Sequence, residues 1–343
     1  MRVKDEEFYK TILSFLDTYL VKQRNFSENT RKSYKKALKL LLEFFKDTKG
    51  LNNYEIGFDD LTYQNISDYL IWLSSSRECS DQTVNQRLMA IRSFVKYAGI
   101  LDPSRITRQI EVSNVPAKKI QQTVVGFLSE SALEVLFQQP DIHKKTGYRD
   151  YCFMTLMYDV GARCQELLDL RVCDMKLEGK KSVIYLTGKG QKTRRLPISE
   201  NVANNMKGYI SRFHPSEIPD STAFVFFTEW HGSRHQMSPD AVALFLKKYA
   251  ASSHEINKDI PEKIHPHLLR HSRAMHLYRG GMPLPLLSEF LGHADVNTTR
   301  IYAWSDTEMK RDAIKKIKPE SSSIAKPIWE DDEDMIRKLY GLD

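Results

Sequence analysis

The β-strand signal, short runs with β-branched and aromatic residues bounded by turn residues, is concentrated in one short stretch of this chain. It covers Ser182-Val183-Ile184-Tyr185-Leu186 and Thr193-Arg194-Arg195-Leu196-Pro197-Ile198, with turn chemistry in Gly188-Lys189-Gly190-Gln191-Lys192 between them. Almost everywhere else apolar residues recur at helical spacing. From Glu6 to Lys22 they are Phe8, Ile12, Phe15, Leu16, Tyr19 and Leu20. After the candidate N-cap Ser27 come Tyr34, Leu38, Leu41, Leu42 and Phe45. Thr62 to Ser75 carries Ile66, Tyr69, Leu70 and Leu73, and the run from Ser80 to Tyr97 carries Val84, Leu88, Ile91, Phe94 and Val95. The expected fold class is mainly α with a small antiparallel β-sheet: a helical domain followed by a mixed α+β domain.

At 343 residues the chain is long enough for two domains. The expected boundaries are a helical domain over 1–101, a basic linker over 102–125, a second domain over 126–318 and a tail over 319–343. The linker is read from Pro103 and Pro116, fading periodicity, and the cations Arg105, Arg108, Lys118 and Lys119. Leu128-Ser129-Glu130-Ser131 is a capping signature that opens the second domain, and helices resume from Pro239. Beyond Ser321-Ser322-Ser323, an acidic run from Glu330 to Asp334 precedes the apolar Met335, Ile336, Leu339 and Tyr340. With 41% apolar and 28% charged residues the chain is neither disordered nor fibrous. It has no run long and apolar enough for a membrane helix, and its start lacks the apolar core of a secretory signal. Four cysteines without CxxC spacing fit a reducing setting, so a cytoplasmic location is expected.

The charge balance, 51 Lys+Arg against 44 Asp+Glu, permits a polyanionic partner without requiring one. Two helices present cations and short hydrogen-bonding side chains on their outward faces, a mixture suited to phosphates and groove edges. The DNA-contact candidates are Arg31 and Lys35 on the second helix, Thr83, Asn85 and Arg87 on the fourth, and Lys118 and Lys119 in the linker. A solvated helix surface would look much the same.

The second domain carries a spaced set of chemically capable residues. Arg163 follows Gly161-Ala162 and precedes Glu166 by three, so a carboxylate can brace the guanidinium across a helical turn. Lys189 sits in the turn between the strands; His267 and Arg270 share a helical face; His293 ends Phe290-Leu291-Gly292-His293; Tyr302 follows nine residues later. Ten histidines include no HExxH or zinc-finger spacing, and no phosphate-binding GxxxxGK[ST] occurs, so neither a metal nor another cofactor is expected. His231, His235 and His254 read as polar loop residues facing water, and His265 and His271 as structural. Singly, each candidate is ordinary.

In order and at these intervals, the set resembles the tyrosine recombinase (phage integrase) family. Gly161-Ala162-Arg163-Cys164-Gln165-Glu166-Leu167-Leu168 is similar to its first box, Gly188 through Ile198 to its hairpin, and His267-Leu268-Leu269-Arg270-His271 with Leu291 through Tyr302 to its second box. The helical first domain is similar to the family's core-binding domain, so the likeness covers about residues 6 to 317. Ser272-Arg273-Ala274-Met275-His276 and the proline-rich Met282-Pro283-Leu284-Pro285 depart from the common pattern without removing a candidate catalytic position. The core-binding helices begin almost at Met1, which is similar to Xer-type or mobile-element recombinases without an arm-binding domain.

The resemblance implies that Tyr302 attacks a DNA phosphorus, forms a 3′-phosphotyrosyl link and releases a 5′-hydroxyl. It implies that Arg163 and Arg270 clamp the non-bridging oxygens, that Lys189 protonates the leaving oxygen, and that His267 accepts the tyrosine proton. His293 would donate to the phosphate, and Glu166 would orient Arg163. The implied partners are double-stranded DNA with specific recombination sites, a homotetramer on paired sites exchanging strands through a Holliday junction, and accessory proteins. Integration or excision of a mobile element is the expected role. Two alternatives stay open: a type IB topoisomerase-like nicking and resealing enzyme, and a DNA-binding protein that has lost catalysis.

Overall fold

The computed structural model describes residues 3–120, 126–177, 181–188, 192–216, 218, 221–293, 295–305, 311 and 332–341. Its contacts divide the chain into two units, Met1–Gln122 and Thr123–Asp343.

The first unit is helical, as the periodicity predicts. Helices α1 (Glu6–Ser14), α2 (Glu28–Lys49), α3 (Tyr63–Ser75) and α4 (Asp81–Leu101) start at Asp5, Ser27, Thr62 and Ser80, whose side chains each accept a backbone N–H of the first turn. The expected first helix continues past Ser14 as a π-helical segment, Phe15–Gln23. That segment stacks Phe15 on Tyr19 and brings Tyr19 to 4.6 Å from the Tyr97 ring. Phe8, Phe15, Phe44, Phe45, Tyr69 and Phe94 are fully buried in one core. Burying a side chain of this size contributes roughly 1.5–3 kcal/mol, so the unit carries its own stabilising interior.

The linker expectation needs correction. Ile106–Asn114 is a fifth helix, α5, packed on α4 with Val112 and Val115 buried. Arg92 of α4 donates to the carbonyls of Val112, Ser113 and Val115, satisfying the end of α5 that would otherwise lack partners. The stripe was hard to read because Ile106 and Ile110 point outward.

In the second unit, α6 (Glu130–Phe137) starts at Ser129 as expected. The next helix, α7 (Lys145–Val160), is buried on nearly every side, as a helix through the centre of a domain should be. A short helix, α8 (Cys164–Leu168), follows. Strands β1 (Met175–Lys176), β2 (Val183–Thr187) and β3 (Thr193–Pro197) form an antiparallel sheet in that order, with Ile184 opposite Leu196 and Leu186 opposite Arg194. Ile184, Leu186 and Leu196 face the core.

After α9 (Glu200–Phe213) comes a hairpin that the polar-loop reading of His231 and His235 passed over: β4 (Phe227–Trp230) and β5 (Ser233–Gln236). Both central residues, His231 and Gly232, take positive φ, the geometry of the tight turns that suit strand twist. Helix α10 (Pro239–Ile256) contains His254, whose Nδ1 lies 2.6 Å from the Ile260 carbonyl rather than facing water. Helices α11 (Pro266–Arg279), α12 (Leu284–Leu291) and α13 (Arg300–Ser305) complete the unit around a satellite cluster of Ala274, Met275, Leu287, Leu291 and Tyr302. A seven-residue helix, Glu333–Leu339, lies in the tail.

Candidate active site

Helix α7 stops at Gly161, whose φ of +57° turns the chain so that its carbonyl faces α11. Arg270 Nη1 donates to that carbonyl and Nη2 to the carbonyl of Leu291, both at 2.7 Å. Two segments distant in sequence thus fix one guanidinium that is only 3% exposed. Desolvation, then the neighbouring Arg163, lowers its pKa to about 10, so it stays charged at neutral pH and lacks an adequate counter-charge.

Glu166, on α8, supplies a buried carboxylate to this cluster. Its oxygens accept the Arg163 backbone N–H at 2.8 Å and Arg163 Nη1 at 2.7 Å, and Arg270 Nη1 lies 4.0 Å away. Arg163 Nη2 donates to the Gly292 carbonyl, which points the partly exposed guanidinium toward the loop before His293. Burial alone would raise the Glu166 pKa. Hydrogen bonds and charge from Arg194, then bonds from Arg163, overcome burial and hold it at about 2.

Tyr302 sits on α13 with 1% exposure. Its hydroxyl is 2.9 Å from His271 Nδ1. Burial raises the phenol's pKa, while Arg270 and then Arg163 pull it down. His271 is pushed down to about 4 by desolvation, then by His267 and Arg270, so at neutral pH its ring is uncharged and can accept the phenol proton. His293 is likewise pushed down to about 4, by desolvation and then Arg270, and its Nδ1 lies 2.8 Å from Thr299 Oγ1. His267 lies at the exposed start of α11, its ring 6.3 Å from that of His271.

The second unit therefore brings Arg163, Glu166, Arg270, His293 and Tyr302 together. Lys189 lies outside the described residues. The base of its hairpin is nonetheless located: Gly188 N donates to the Lys192 carbonyl, and a Cβ at Gly188 would stand 3.0 Å from Glu166 Oε1. Two residues were not anticipated. His271, read as structural, holds the Tyr302 hydroxyl in the place expected for His267. Arg194 forks both Glu166 oxygens, and its position could have been read from the strand, since it alternates in register with the inward Leu196 and Ile198.

The DNA-contact candidates fare unevenly. Asn85 clasps the Lys118 backbone, its Nδ2 donating to the carbonyl at 2.8 Å and its Oδ1 accepting from the N–H at 2.9 Å, and Lys118 Nζ bonds Ser74 and Asp81. Arg87 is 8% exposed and donates to the Ser33 carbonyl. Arg31 is paired with Asp17 and Glu28. These four side chains are engaged within the first unit. Thr83 is half-buried with its hydroxyl on Ser80, while Lys35 and Lys119 are exposed.

A cluster of three guanidinium groups around one carboxylate is net positive and suits a phosphate, and a phenol is a group chemically able to attack one. Comparison with known proteins points the same way. Residues 126–309 match the profile of the phage integrase family, and residues 12–99 that of the phage integrase N-terminal SAM-like domain. The putative integrase/recombinase y4rC of Sinorhizobium fredii is 26% identical over 330 residues, covering 96% of each chain. Tyrosine recombinase XerD of Vibrio cholerae is 29% identical over 86% of this chain and 91% of its own. The fold is similar to that of the Tn1549 transposon integrase, solved with transposon right end DNA, at TM-score 0.66 and 15% identity over 89% of this chain and 99% of that one. The chain belongs to the phage integrase family and is a tyrosine-type site-specific DNA recombinase.

Proposed function

We propose that this protein cuts and rejoins each DNA strand through a covalent 3′-phosphotyrosyl link at Tyr302. The observation that carries the reading is the Tyr302 hydroxyl held 2.9 Å from His271 Nδ1, on the helix that also carries Arg270, with Arg270 and Arg163 near enough to pull the phenol's pKa down. Arg163 and Arg270 grip the non-bridging oxygens of the scissile phosphate, where charge builds as the bond breaks. The Tyr302 oxygen forms the new bond to phosphorus, its proton passes to His271, and the bond to the 5′-oxygen breaks. Lys189 supplies the proton that makes the leaving group a 5′-hydroxyl, and His293 donates to the phosphate. The phosphotyrosyl ester keeps the energy of the broken bond, so a second 5′-hydroxyl can reverse the step without a nucleotide cofactor. At 1% exposure Tyr302 must be uncovered before its oxygen reaches phosphorus, and the proton transfer requires His271 to stay beside it as that happens.

The wider reaction is strand exchange between paired specific sites by four copies of the chain through a Holliday junction. Its role is integration or excision of a mobile element, a reading supported by the integrase/recombinase relative. The first unit contributes DNA contacts through the exposed Lys35 and Lys119. The test is capture on a random-sequence library of nicked duplexes, recovered under denaturing conditions and sequenced. Wild type should yield a covalent adduct enriched in one sequence, and Tyr302→Phe none. An adduct that persists in Tyr302→Phe overturns the nucleophile. An adduct with no sequence enrichment indicates a topoisomerase-like enzyme, and none at all a binding protein without catalysis.

A further inference from the structure

Arg194 is a charged residue on the inward face of a strand. It lies in β3 opposite Leu186 and in step with Leu196, positions that are otherwise apolar. Its side chain is 13% exposed. Nη1 is 3.0 Å from Glu166 Oε1, Nη2 is 2.7 Å from Glu166 Oε2, and Nε donates to the Phe290 carbonyl at 3.1 Å. One guanidinium thus joins the strand leaving the Lys189 hairpin, the helix after Arg163, and the segment leading to His293. The backbone makes room for it: Gly292 has φ +64°, and a Cβ there would stand 2.8 Å from Arg194 Nη1.

The charge arithmetic explains why an arginine is needed at this point. Glu166 braces Arg163, and its Oε2 lies 4.0 Å from Arg270 Nη1. Without another cation it would offset one of the two charges that the phosphate needs. Arg194 takes both of its oxygens in a forked pair, from the side of the sheet, and leaves the brace in place. We propose that Arg194 is a positioning residue for strand cleavage: it neutralises Glu166 so that Arg163 and Arg270 keep their charge for the scissile phosphate, and it ties the hairpin to the His293 segment. The inference rests on the proposed phosphotyrosyl reaction.

The test is single-turnover cleavage of the nicked duplex selected above, at saturating protein, so that only folded, DNA-bound molecules are read. Arg194→Ala should cleave roughly 100-fold more slowly than wild type, the loss expected from misplacing a reacting group by about 1 Å. Adding Glu166→Gln should restore about tenfold of that loss, because it removes the carboxylate charge that Arg194→Ala leaves unbalanced. Arg194→Lys, which keeps the charge without the fork, should fall between wild type and Arg194→Ala. A purely structural residue predicts a double variant no faster than Arg194→Ala. That outcome, or Arg194→Ala cleaving at the wild-type rate, overturns the role of Arg194 alone. Absence of an adduct with wild type overturns the phosphotyrosyl reading and this inference with it.

Discussion

Two half-buried histidines of the site, His271 on the Tyr302 hydroxyl and His293 on Thr299, have their pKa values lowered by their surroundings. His271 and His293 are each pushed from the ordinary 6.5 to about 4, chiefly by desolvation and then by neighbouring cationic or imidazole groups. In the unfolded chain they would take up protons near their ordinary pKa. Between these values the unfolded state binds more protons than the folded one, so stability rises with pH there. The contribution is fully present above 6.5 and is lost as pH falls through about 4. Glu166, held at about 2, adds an acid loss in a lower window, below its ordinary 4.5. The Tm of the free protein should therefore fall steadily as pH drops from 6.5 toward 4, and His271→Phe should flatten part of that slope. The readout is thermal denaturation at a series of pH values. An unchanged slope in His271→Phe would mean that His271 titrates alike in the folded and unfolded chains, so that its surroundings do not hold it neutral.

The site is assembled from element ends, which makes their turns as consequential as the side chains. Gly161 ends α7 in left-handed backbone, and its carbonyl holds Arg270. A Cβ there would stand 3.0 Å from Leu291 Cδ2 and 3.2 Å from Phe290 Cε1. Gly161→Ala should destabilise the second unit by roughly 1–2 kcal/mol from the left-handed backbone alone. It should also slow cleavage, because both carbonyls that anchor Arg270 lie beside the intruding methyl. Denaturant unfolding and single-turnover cleavage read the two effects, and wild-type cleavage would show that the Arg270 anchor tolerates the shift. Much of this was legible in the sequence. The apolar stripes give α1 to α4, Ser129 marks the start of α6, and the strand-like runs either side of the Gly188-to-Lys192 turn give β2 and β3 within a residue. Helix α5 escaped because most of its apolar residues face outward, and the β4–β5 hairpin because exposed strands of polar residues carry no alternating stripe. The set Arg163, Glu166, Arg270, His293 and Tyr302 was legible as an ordered pattern. The contact between His271 and Tyr302 was not, because it depends on how α13 packs across α11, and sequence spacing does not encode that crossing.

At the scale of the whole molecule, the tail contrasts with the cores of both units. Its helix is well made locally: Asp332 accepts the Met335 N–H, Glu333 and Asp334 occupy the first turn, and Arg337 and Lys338 the last. Seven residues are nonetheless too few for a helix to persist in water on capping alone, since nucleation consumes most of what so few hydrogen bonds return. Met335 and Ile336 are 37% and 38% exposed, and Leu339 and Tyr340 are 60% and 76% exposed. A short capped helix with an uncovered apolar patch is what an arm looks like before it meets a partner, and the proposed tetramer would put a neighbouring copy at hand. Removal of the chain after Lys318 should then leave cleavage of a single site intact, because none of the described contacts around Arg163, Arg270 and Tyr302 involves the tail. Exchange between paired sites should fall by at least about tenfold, equivalent to losing about 1.4 kcal/mol of protomer contact. Both reactions can be followed on the same DNA, one as adduct and the other as recombinant product. Full exchange by the shortened chain would mean that the tail helix is not used between copies. Loss of single-site cleavage would mean instead that it serves its own subunit's Tyr302.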